Sequence, residues 1–253
     1  MSQTVERAIE ILKFIGLKPR ALGEVSEMLE VHKSTALRLL QTLEKKGFAR
    51  RMPDGKHGIG LAIIPLAQNA LDQMDIRTIA HPHLQKLNES VRHTIHLAQL
   101  IGNEIIYIDK VEGSGTVAMG SRIGLPAEIH TAGVAKAILA YLSDNRRDEV
   151  IRRANFVRYT PTTILTASAL RRELEITRQR GWAEDNREKE DYINCVAFPI
   201  FDAAGAVKAG MSVTALLAAE PLDKMREKIP EFRRIAFVIS QELGWDGNEY
   251  GRR

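Results

Sequence analysis

The chain has 253 residues, of which 44% are hydrophobic and 27% are charged, and its formal net charge is +4. This composition is typical of one or two folded domains and excludes a disordered chain. A single cysteine, Cys195, excludes an internal disulfide framework. The charged first residues lack the apolar run of a signal peptide, and no stretch approaches the roughly 18 apolar residues of a transmembrane helix. We therefore expect a cytoplasmic protein with no membrane partner.

The first part of the chain predicts three helices. Apolar residues recur at helical spacing over Thr4 to Ile15, and Gly16 is placed to end that helix. A short helix follows over Gly23 to Leu29, and only three residues separate it from a longer helix over Lys33 to Lys46. Two helices joined by so tight a turn indicate a helix-turn-helix unit.

The longer helix has two chemically different faces. An advance of about 100° per residue puts Ala36, Leu37 and Leu43 near Leu40, on a face suited to a core. After this helix, residues 48–52 and 57–59 flank Pro53-Asp54-Gly55, a sequence typical of a tight hairpin. The hairpin is the expected wing of a winged helix-turn-helix domain.

Positive charge concentrates in this region. Residues 1–60 hold 11 Lys/Arg against 7 Asp/Glu, whereas the rest of the chain holds 25 of each. A polyanion, double-stranded operator DNA, is therefore the expected partner, and a protein-interaction module is the alternative. In the winged geometry the recognition helix reads base edges and the surrounding basic residues meet phosphates. The candidate DNA-binding residues are Lys33, Ser34, Thr35, Arg38, Thr42, Lys45, Lys46, Arg50, Arg51 and Lys56.

The remaining chain predicts a mixed α+β domain. A helix over Ala62 to Met74 lies where the basic composition ends, so it is the expected linker, and another helix follows over Ile76 to Val91. Alternating and β-branched segments then predict an antiparallel sheet packed with helices. Its expected strands are Thr94 to Ile101, Glu104 to Val111, Thr116 to Ser121, Ile193 to Phe201 and Val207 to Ala215. The expected helices are Gly133 to Leu142, Asp144 to Arg152, Ala167 to Arg180 and Leu222 to Leu243.

Five blocks of sequence, in the same order, resemble the isocitrate lyase regulator (IclR) family of bacterial transcription factors. They are Val5 to Leu12, Lys33 to Leu43, Arg122 to Gly124, His130 to Ala140, and Gly181 to Asp185 followed by Cys195 to Ile200. The resemblance implies a winged helix-turn-helix domain over 1–61, a linker helix over 62–75 and a GAF-like effector-binding domain over 76–253. It also implies a homodimer, in some members a dimer of dimers, and a regulator rather than an enzyme, without a cofactor.

The resemblance also assigns candidate effector-binding residues. The family pattern matches Gly133, Val134, Asp185, Cys195, Ser212 and Thr214, and Met119 is a further apolar candidate. Backbone N–H groups at the start of the helix from Gly133 are free to bind a carboxylate. Ser212 and Thr214 alternate along a strand, so their hydroxyls share one side. The expected function is a regulator whose operator affinity is controlled by a small effector, an organic or aromatic acid of a catabolic pathway.

Other interpretations of these residues remain open at the level of sequence. Cys195 is also the type of residue that fills a core, Asp185 lies in an acidic segment expected to be a solvated loop, and the strand hydroxyls are compatible with solvent exposure. The alternative function is an enzyme that uses Cys195 as a nucleophile with His130 or His96 as base. The pairs His81/His83 and His93/His96 lack cysteine or carboxylate ligands at metal-binding spacing, so no metal is expected.

Overall fold

The computed structural model describes residues 2–66, 76–114 and 120–247. The chain divides into two compact units, Met1–Met74 and Asp75–Arg253. Among the described residues, the first unit contains one cluster of buried hydrophobic residues and the second contains two.

The first unit is a three-helix bundle followed by a two-stranded hairpin. Its elements are α1 (Gln3–Leu17), α2 (Leu22–Met28), α3 (Lys33–Lys45), β1 (Ala49–Arg51) and β2 (His57–Ile59). Burial of Ile11, Ile15, Val25 and Leu40 joins the three helices around one core. The expected end of α1 at Gly16 is wrong, because the helix continues to Leu17 and adopts no left-handed turn at the glycine.

The set of buried side chains on α3 differs at one leucine from the set that the helical wheel predicts. Ala36 and Leu40 are fully buried, but Leu37 is 36% exposed and Leu39 packs against the core instead. Both leucines flank the centre of the apolar face, so the positions of α1 and α2 decide which of them is covered. Which leucine is buried therefore depends on tertiary packing, and the hydrophobic period of a single helix does not predict it.

The hairpin pairs Ala49 with Ile59 and Arg51 with His57 in antiparallel register. Its loop is Pro53-Asp54-Gly55, closed by a 2.7 Å bond from the N–H of Met52 to the carbonyl of Lys56. Gly55 adopts φ +82°, the left-handed conformation that this three-residue turn requires. On the other side of the hairpin, Arg20 exchanges two backbone hydrogen bonds with His57, of 2.9 and 2.7 Å. The segment between α1 and α2 is thereby fixed to the wing.

Two sequence predictions fall partly outside the described residues. Residues 63–66 are helical, and the rest of the expected linker helix, up to Met74, lies outside the described ranges. The expected strand from Thr116 and the candidate Met119 also lie outside them, and Gly120 and Ser121 are not in a strand.

The second unit contains one antiparallel sheet covered by helices on both faces. The elements in chain order are α4 (Ile76–Val91), β3 (Thr94–Ile101), β4 (Glu104–Val111), α5 (Gly133–Leu139), α6 (Asp144–Arg152), α7 (Ala167–Arg180), β5 (Ala183–Asn186), β6 (Ile193–Phe201), β7 (Val207–Leu216), α8 (Leu222–Glu227) and α9 (Ile229–Glu242). The strand order is β4-β3-β7-β6-β5, with all neighbours antiparallel. The expected antiparallel α+β architecture is confirmed.

Alternation along β6 and β7 divides their side chains between two cores. Val196, Phe198 and Ile200 point toward α4, α8 and α9, whereas Ala197 packs with α5, α6 and α7. Helix α5 lies very close to the sheet because glycines replace side chains at the contact. A Cβ on Gly210 of β7 would lie 2.9 Å from the carbonyl oxygen of Val134, and one on Gly133 would lie 3.0 Å from Cys195 Sγ.

Three element predictions need correction. Residues 183–186 form strand β5, whereas the acidic sequence favoured a loop. The expected terminal helix is two helices, because Lys228 adopts a non-helical turn and Pro230 lies in the first turn of the second one. The helix from Gly133 ends at Leu139, short of the expected Leu142.

Candidate functional site

The first candidate site is the outer surface of α3 and the wing. Nine of the ten predicted DNA-binding side chains are exposed, and the tenth, Thr35, is half-buried. None of the ten belongs to the core of the first unit. The structure therefore leaves these side chains accessible to a ligand.

Several of these side chains already have local hydrogen-bond partners. The hydroxyl of Thr42 donates to the carbonyl of Arg38 at 2.8 Å, and Ser34 Oγ lies 3.0 Å from His32 Nδ1. At the tip of the wing, Lys56 pairs with Asp54 at 2.9 Å. Arg38, by contrast, forms no side-chain hydrogen bond or ion pair with any described residue, so it is free to contact a base edge.

A contact between α3 and the wing was not anticipated from the sequence. His57 Nδ1 lies 2.8 Å from the Glu44 carboxylate, with the histidine side chain buried. Glu44 is one of only two acidic residues in residues 31–60, and its position on the inner side of α3 was the only available signal. The pair holds the wing against the end of the recognition helix.

The second candidate site is a cavity in the second unit, which we call the effector cavity. It has a volume of about 200 Å³ and lies between the sheet, the start of α5 and the segment 120–132. Six of the seven predicted effector-binding residues line it: Gly133, Val134, Asp185, Cys195, Ser212 and Thr214. The structure thus assembles residues that are up to 81 positions apart in the chain.

Strand register explains this assembly. Asp185 of β5 lies beside Cys195 of β6, which lies beside Thr214 of β7. One register step away, Ser212 of β7 is paired with His96 of β3. Side chains at paired positions point to the same face of a sheet, so all of these converge on the floor of the effector cavity.

Burial sets the charge of Asp185. Desolvation raises the pKa of its carboxyl from 3.8 to about 7, and the positive charge of Lys136 offsets only part of that effect. One carboxyl oxygen accepts the backbone N–H of Glu188 at 2.7 Å. Near neutral pH this group therefore either donates or accepts a hydrogen bond inside the cavity, depending on its proton.

His96 is a cavity residue that the sequence suggested only as a base or a metal ligand. Its Nε2 lies 2.7 Å from Ser121 Oγ, and its Nδ1 lies 3.4 Å from Thr214 Oγ1. Desolvation, followed by the charge of Lys110, lowers its pKa to about 3, so the ring is neutral. A neutral imidazole has one N–H and one lone pair, which fixes the hydroxyl orientations around it.

Unpartnered polar groups also face the effector cavity. The Thr131 hydroxyl is fully buried and has no hydrogen-bond partner within the described chain. The backbone N–H groups of Gly133 and Val134, at the start of α5, have no backbone acceptor among the described residues. Thr131 was not among the predicted effector-binding residues, although it belongs to one of the blocks that resemble the family. Buried groups of this kind usually bind a ligand or an ordered water.

A buried ion pair supports the wall of the effector cavity. Lys136 Nζ of α5 lies 2.7 Å from the Glu188 carboxylate, and Lys136 is completely buried. The hydroxyl of Thr163 donates to the carbonyl of Glu188 at 2.7 Å, which holds the loop after β5 in place. Glu188 in turn donates its backbone N–H to the Asp185 carboxyl, so these contacts fix the position of Asp185 relative to α5.

The chemistry of Cys195 argues against the enzyme alternative. Desolvation, followed by the nearby Asp185 carboxyl, raises the pKa of this buried thiol to about 12, so a thiolate does not form near neutral pH. His130 does not line the effector cavity and bonds the carbonyl of Val157 instead. Among the described residues no cluster of three potential metal ligands exists.

We expect Asp185→Asn to change how stability depends on pH. Because the folded-state pKa of Asp185 lies above its ordinary value, the unfolded chain releases this proton first, and the free energy of unfolding falls as pH rises from about 4 to about 7. The lowered pKa of His96 acts in the opposite direction, but both proteins share it. Urea titrations between pH 4.5 and 7.5 should show the variant gaining stability relative to wild type as pH rises. A constant difference would contradict the buried-carboxyl assignment.

Comparisons with known proteins identify two domain types in the chain. The model of the IclR helix-turn-helix domain matches residues 4–53, and that of the bacterial transcriptional regulator IclR C-terminal domain matches residues 68–240. Regulator KdgR of Dickeya chrysanthemi is 31% identical over 96% of this chain and 80% of its own length. XynR of Escherichia coli is 28% identical over 96% of this chain and 98% of its own.

Solved structures show the same similarity. The IclR crystal structure of Thermotoga maritima is 35% identical, covers 96% of this chain and 99% of that chain, and gives a TM-score of 0.64. The repressor BlcR of Agobacterium tumefaciens, 24% identical over 96% of this chain and 98% of its own, shares the fold with a TM-score of 0.80.

A helix-turn-helix domain joined to a separate C-terminal domain of this type defines a transcriptional regulator. The two family matches together span most of the chain, and its curated relatives are regulators rather than enzymes. The chain belongs to the IclR family. No helix within residues 2–66, 76–114 and 120–247 is long and apolar enough to cross a membrane.

Proposed function

We propose that this regulator controls transcription by coupling occupation of the effector cavity to operator affinity. Residues 1–61 bind DNA, residues 76–253 bind the effector, and residues 62–75 connect the two. A homodimer places two recognition helices in successive major grooves of a pseudo-palindromic operator. The observation that carries the proposal is the convergence of Asp185, Cys195, Ser212 and Thr214 on one cavity with unpartnered polar groups.

We infer that the effector is a small organic acid that carries hydroxyl groups. The Gly133 and Val134 N–H groups are donors suited to its carboxylate, together with the hydroxyls of Thr131 and Ser212. Carboxyl groups of Asp185, Glu128 and Glu190 also line the effector cavity, against the single cation Lys189. Carboxylates accept hydrogen bonds, so they favour ligand hydroxyls over a purely apolar acid.

Thermal shift measurements with small carboxylic acids test the effector class. The panel contains matched pairs with and without hydroxyl groups, such as 4-hydroxybenzoate and benzoate. Each shift is compared with that of the variant carrying Asp185→Ala and Ser212→Ala, so that binding outside the effector cavity is subtracted. 4-Hydroxybenzoate is also the molecule complexed with an IclR homologue of Microbacterium hydrocarbonoxydans, which is 22% identical to this chain. A ligand at 100 times its dissociation constant stabilises the folded state by about 2.7 kcal/mol. We expect the hydroxylated member of a pair to give the larger shift; equal shifts would contradict the hydroxyl requirement.

The double substitution Asp185→Ala with Ser212→Ala is expected to abolish the response to such an acid and to leave operator binding intact. It removes two polar groups that line the effector cavity, and both positions belong to the second unit. The measurement is a DNA mobility shift, with an operator selected by the protein from a random-sequence pool. The matched control replaces exposed Asp191 and Ser168 with alanine. A normal response in the cavity variant would refute the assignment of this cavity.

Thermodynamic linkage requires that the effector and the operator affect each other's affinity equally. If the effector lowers affinity for the operator, operator DNA must lower affinity for the effector by the same factor. The same relation holds with the opposite sign for an activating effector. It applies to equilibrium affinities, so it is measured by titrating the effector with and without saturating operator.

A further inference from the structure

The second unit contains a second cavity, separate from the effector cavity. It has a volume of about 460 Å³ and lies between the C-terminal end of α7, strand β6 and helix α9. It shares no lining residue with the effector cavity. We call it the arginine cavity, after the three arginines in its lining: Arg178, Arg180 and Arg233.

The charged side chains that line the arginine cavity are all positive. Within residues 2–66, 76–114 and 120–247, no aspartate or glutamate lines it. Arg180 is neutralised by ion pairs with Glu173 at 2.9 Å and Glu184 at 3.5 Å. Arg178 and Arg233 form no ion pair with any described residue; Arg233 donates only to the carbonyl of Arg180, at 2.9 Å. Two guanidinium groups thus retain donors for an anion.

Aromatic side chains form the apolar part of the same lining. Tyr141, Phe201, Trp245 and Phe237 make a continuous series of ring contacts, with centroid separations of 5.1, 4.8 and 5.5 Å. Phe237 is 38% exposed, an unusual position for a phenylalanine on a helix whose other large apolar residues are mostly covered. Arg178 lies over the Tyr141 ring, 5.8 Å from its centroid.

We propose that the arginine cavity binds a small aromatic carboxylate. A flat ring has dispersion and edge-to-face partners in Phe237 and Trp245, and a carboxylate matches the planar fork of a guanidinium. The volume is within the range of small-molecule sites, and the lining combines apolar rings with a few polar groups, as such sites do. The lining of the effector cavity is different, with three carboxyl groups, one lysine and one tyrosine.

The two tryptophans of the chain allow a direct test. Trp245 lines the arginine cavity, whereas Trp182 lies outside its lining and contacts Arg180 from another side. In a Trp182→Phe background, Trp245 is the only tryptophan in the chain. Titration of the full-length protein with benzoate should change the fluorescence of Trp245 saturably. Cyclohexanecarboxylate, which keeps the charge and loses the aromatic ring, should bind more weakly.

Substitutions then assign the site. In that background, Arg178→Gln and Arg233→Gln should each weaken benzoate binding by about tenfold or more, since each removes a charge-assisted hydrogen bond. Arg234→Gln is the matched control, because Arg234 is exposed on the same helix and is absent from the lining. Equal affinity in all three variants, or no saturable change up to the millimolar range, would overturn the proposal. The proposal would also be overturned if Arg233→Gln changed the oligomeric state and left benzoate affinity unchanged. That result would assign this surface to contact with a second copy of the chain.

The proposal for the arginine cavity and the proposal for the effector cavity can be tested independently. The substitutions Asp185→Ala and Ser212→Ala should leave benzoate-dependent fluorescence of Trp245 unchanged. If those substitutions abolish it, the fluorescence change reports the effector cavity, and the second site is refuted while the first is supported.

Discussion

Lys136→Met is expected to lower the free energy of unfolding by about 3–5 kcal/mol, because it leaves the Glu188 carboxylate buried without its cation. Lys136 is fully buried and pairs with Glu188 at 2.7 Å, and the second carboxylate oxygen of Glu188 has no partner in the described part of the chain. Methionine retains most of the packing volume of lysine, so the loss reports mainly the charge. Urea denaturation at pH 8 measures it.

Two variants separate the charge from the packing. Adding Glu188→Gln to Lys136→Met removes the unpaired charge and should recover a large part of the lost stability. Lys189→Met, at the exposed neighbouring position, should change stability by no more than about 0.5 kcal/mol. Burial raises the pKa of Glu188, so the cost of Lys136→Met should also shrink as pH falls, because a buried carboxyl without its lysine takes up a proton more readily. A pH-independent loss would instead indicate a packing defect.

Arg38→Ala is expected to weaken binding to the selected operator by about 1–3 kcal/mol and to relax its sequence preference. Arg38 is exposed on the outer face of α3 and has no ion-pair partner among the described residues. Competition of the selected operator against random-sequence DNA, in a mobility shift at fixed salt, measures both effects. An equal loss on both DNAs would make Arg38 a phosphate contact.

Lys45 provides the comparison for Arg38. It is exposed near the end of the same helix, at a position expected to meet phosphates. Lys45→Ala should weaken binding to both DNAs alike and reduce the dependence of log affinity on log salt by about one unit. If neither variant changes affinity or its salt dependence, the outer face of α3 is not the DNA surface.

Local patterns in the sequence were sufficient for most elements of the second unit. The bounds predicted for α4, β3, β4, α6, α7 and β6 agree with the structure, because each has a strong period and a clear terminator, such as Gly181 after α7. Strand β5 was missed since acidic residues and asparagine are poor strand formers. Its backbone is held by pairing with β6, which depends on residues about ten positions further along the chain.

The two candidate sites also differ in how well local sequence patterns predict them. The candidate DNA-binding surface is formed by residues close together in the chain, so the charge pattern and helical period of residues 31–60 were enough to predict which side chains are exposed. The effector cavity depends on strand pairing between distant segments, and the resemblance to the family supplied what the pattern could not. Thr131 and His96 were missed as ligand-facing groups because their positions depend on the β3–β7 pairing and on the path of residues 120–132.

The separation between the core of the first unit and its candidate DNA-binding side chains has a consequence for how such a regulator diversifies. Ile11, Val25 and Leu40 hold the bundle, and none of the ten candidate side chains takes part. Substitutions at exposed positions usually change stability by less than about 0.5 kcal/mol. With the proposed DNA-binding role, substitutions on the outer face of α3 would therefore change operator preference with little loss of folding stability. This face would then be a suitable place to reprogram the regulator for a different promoter.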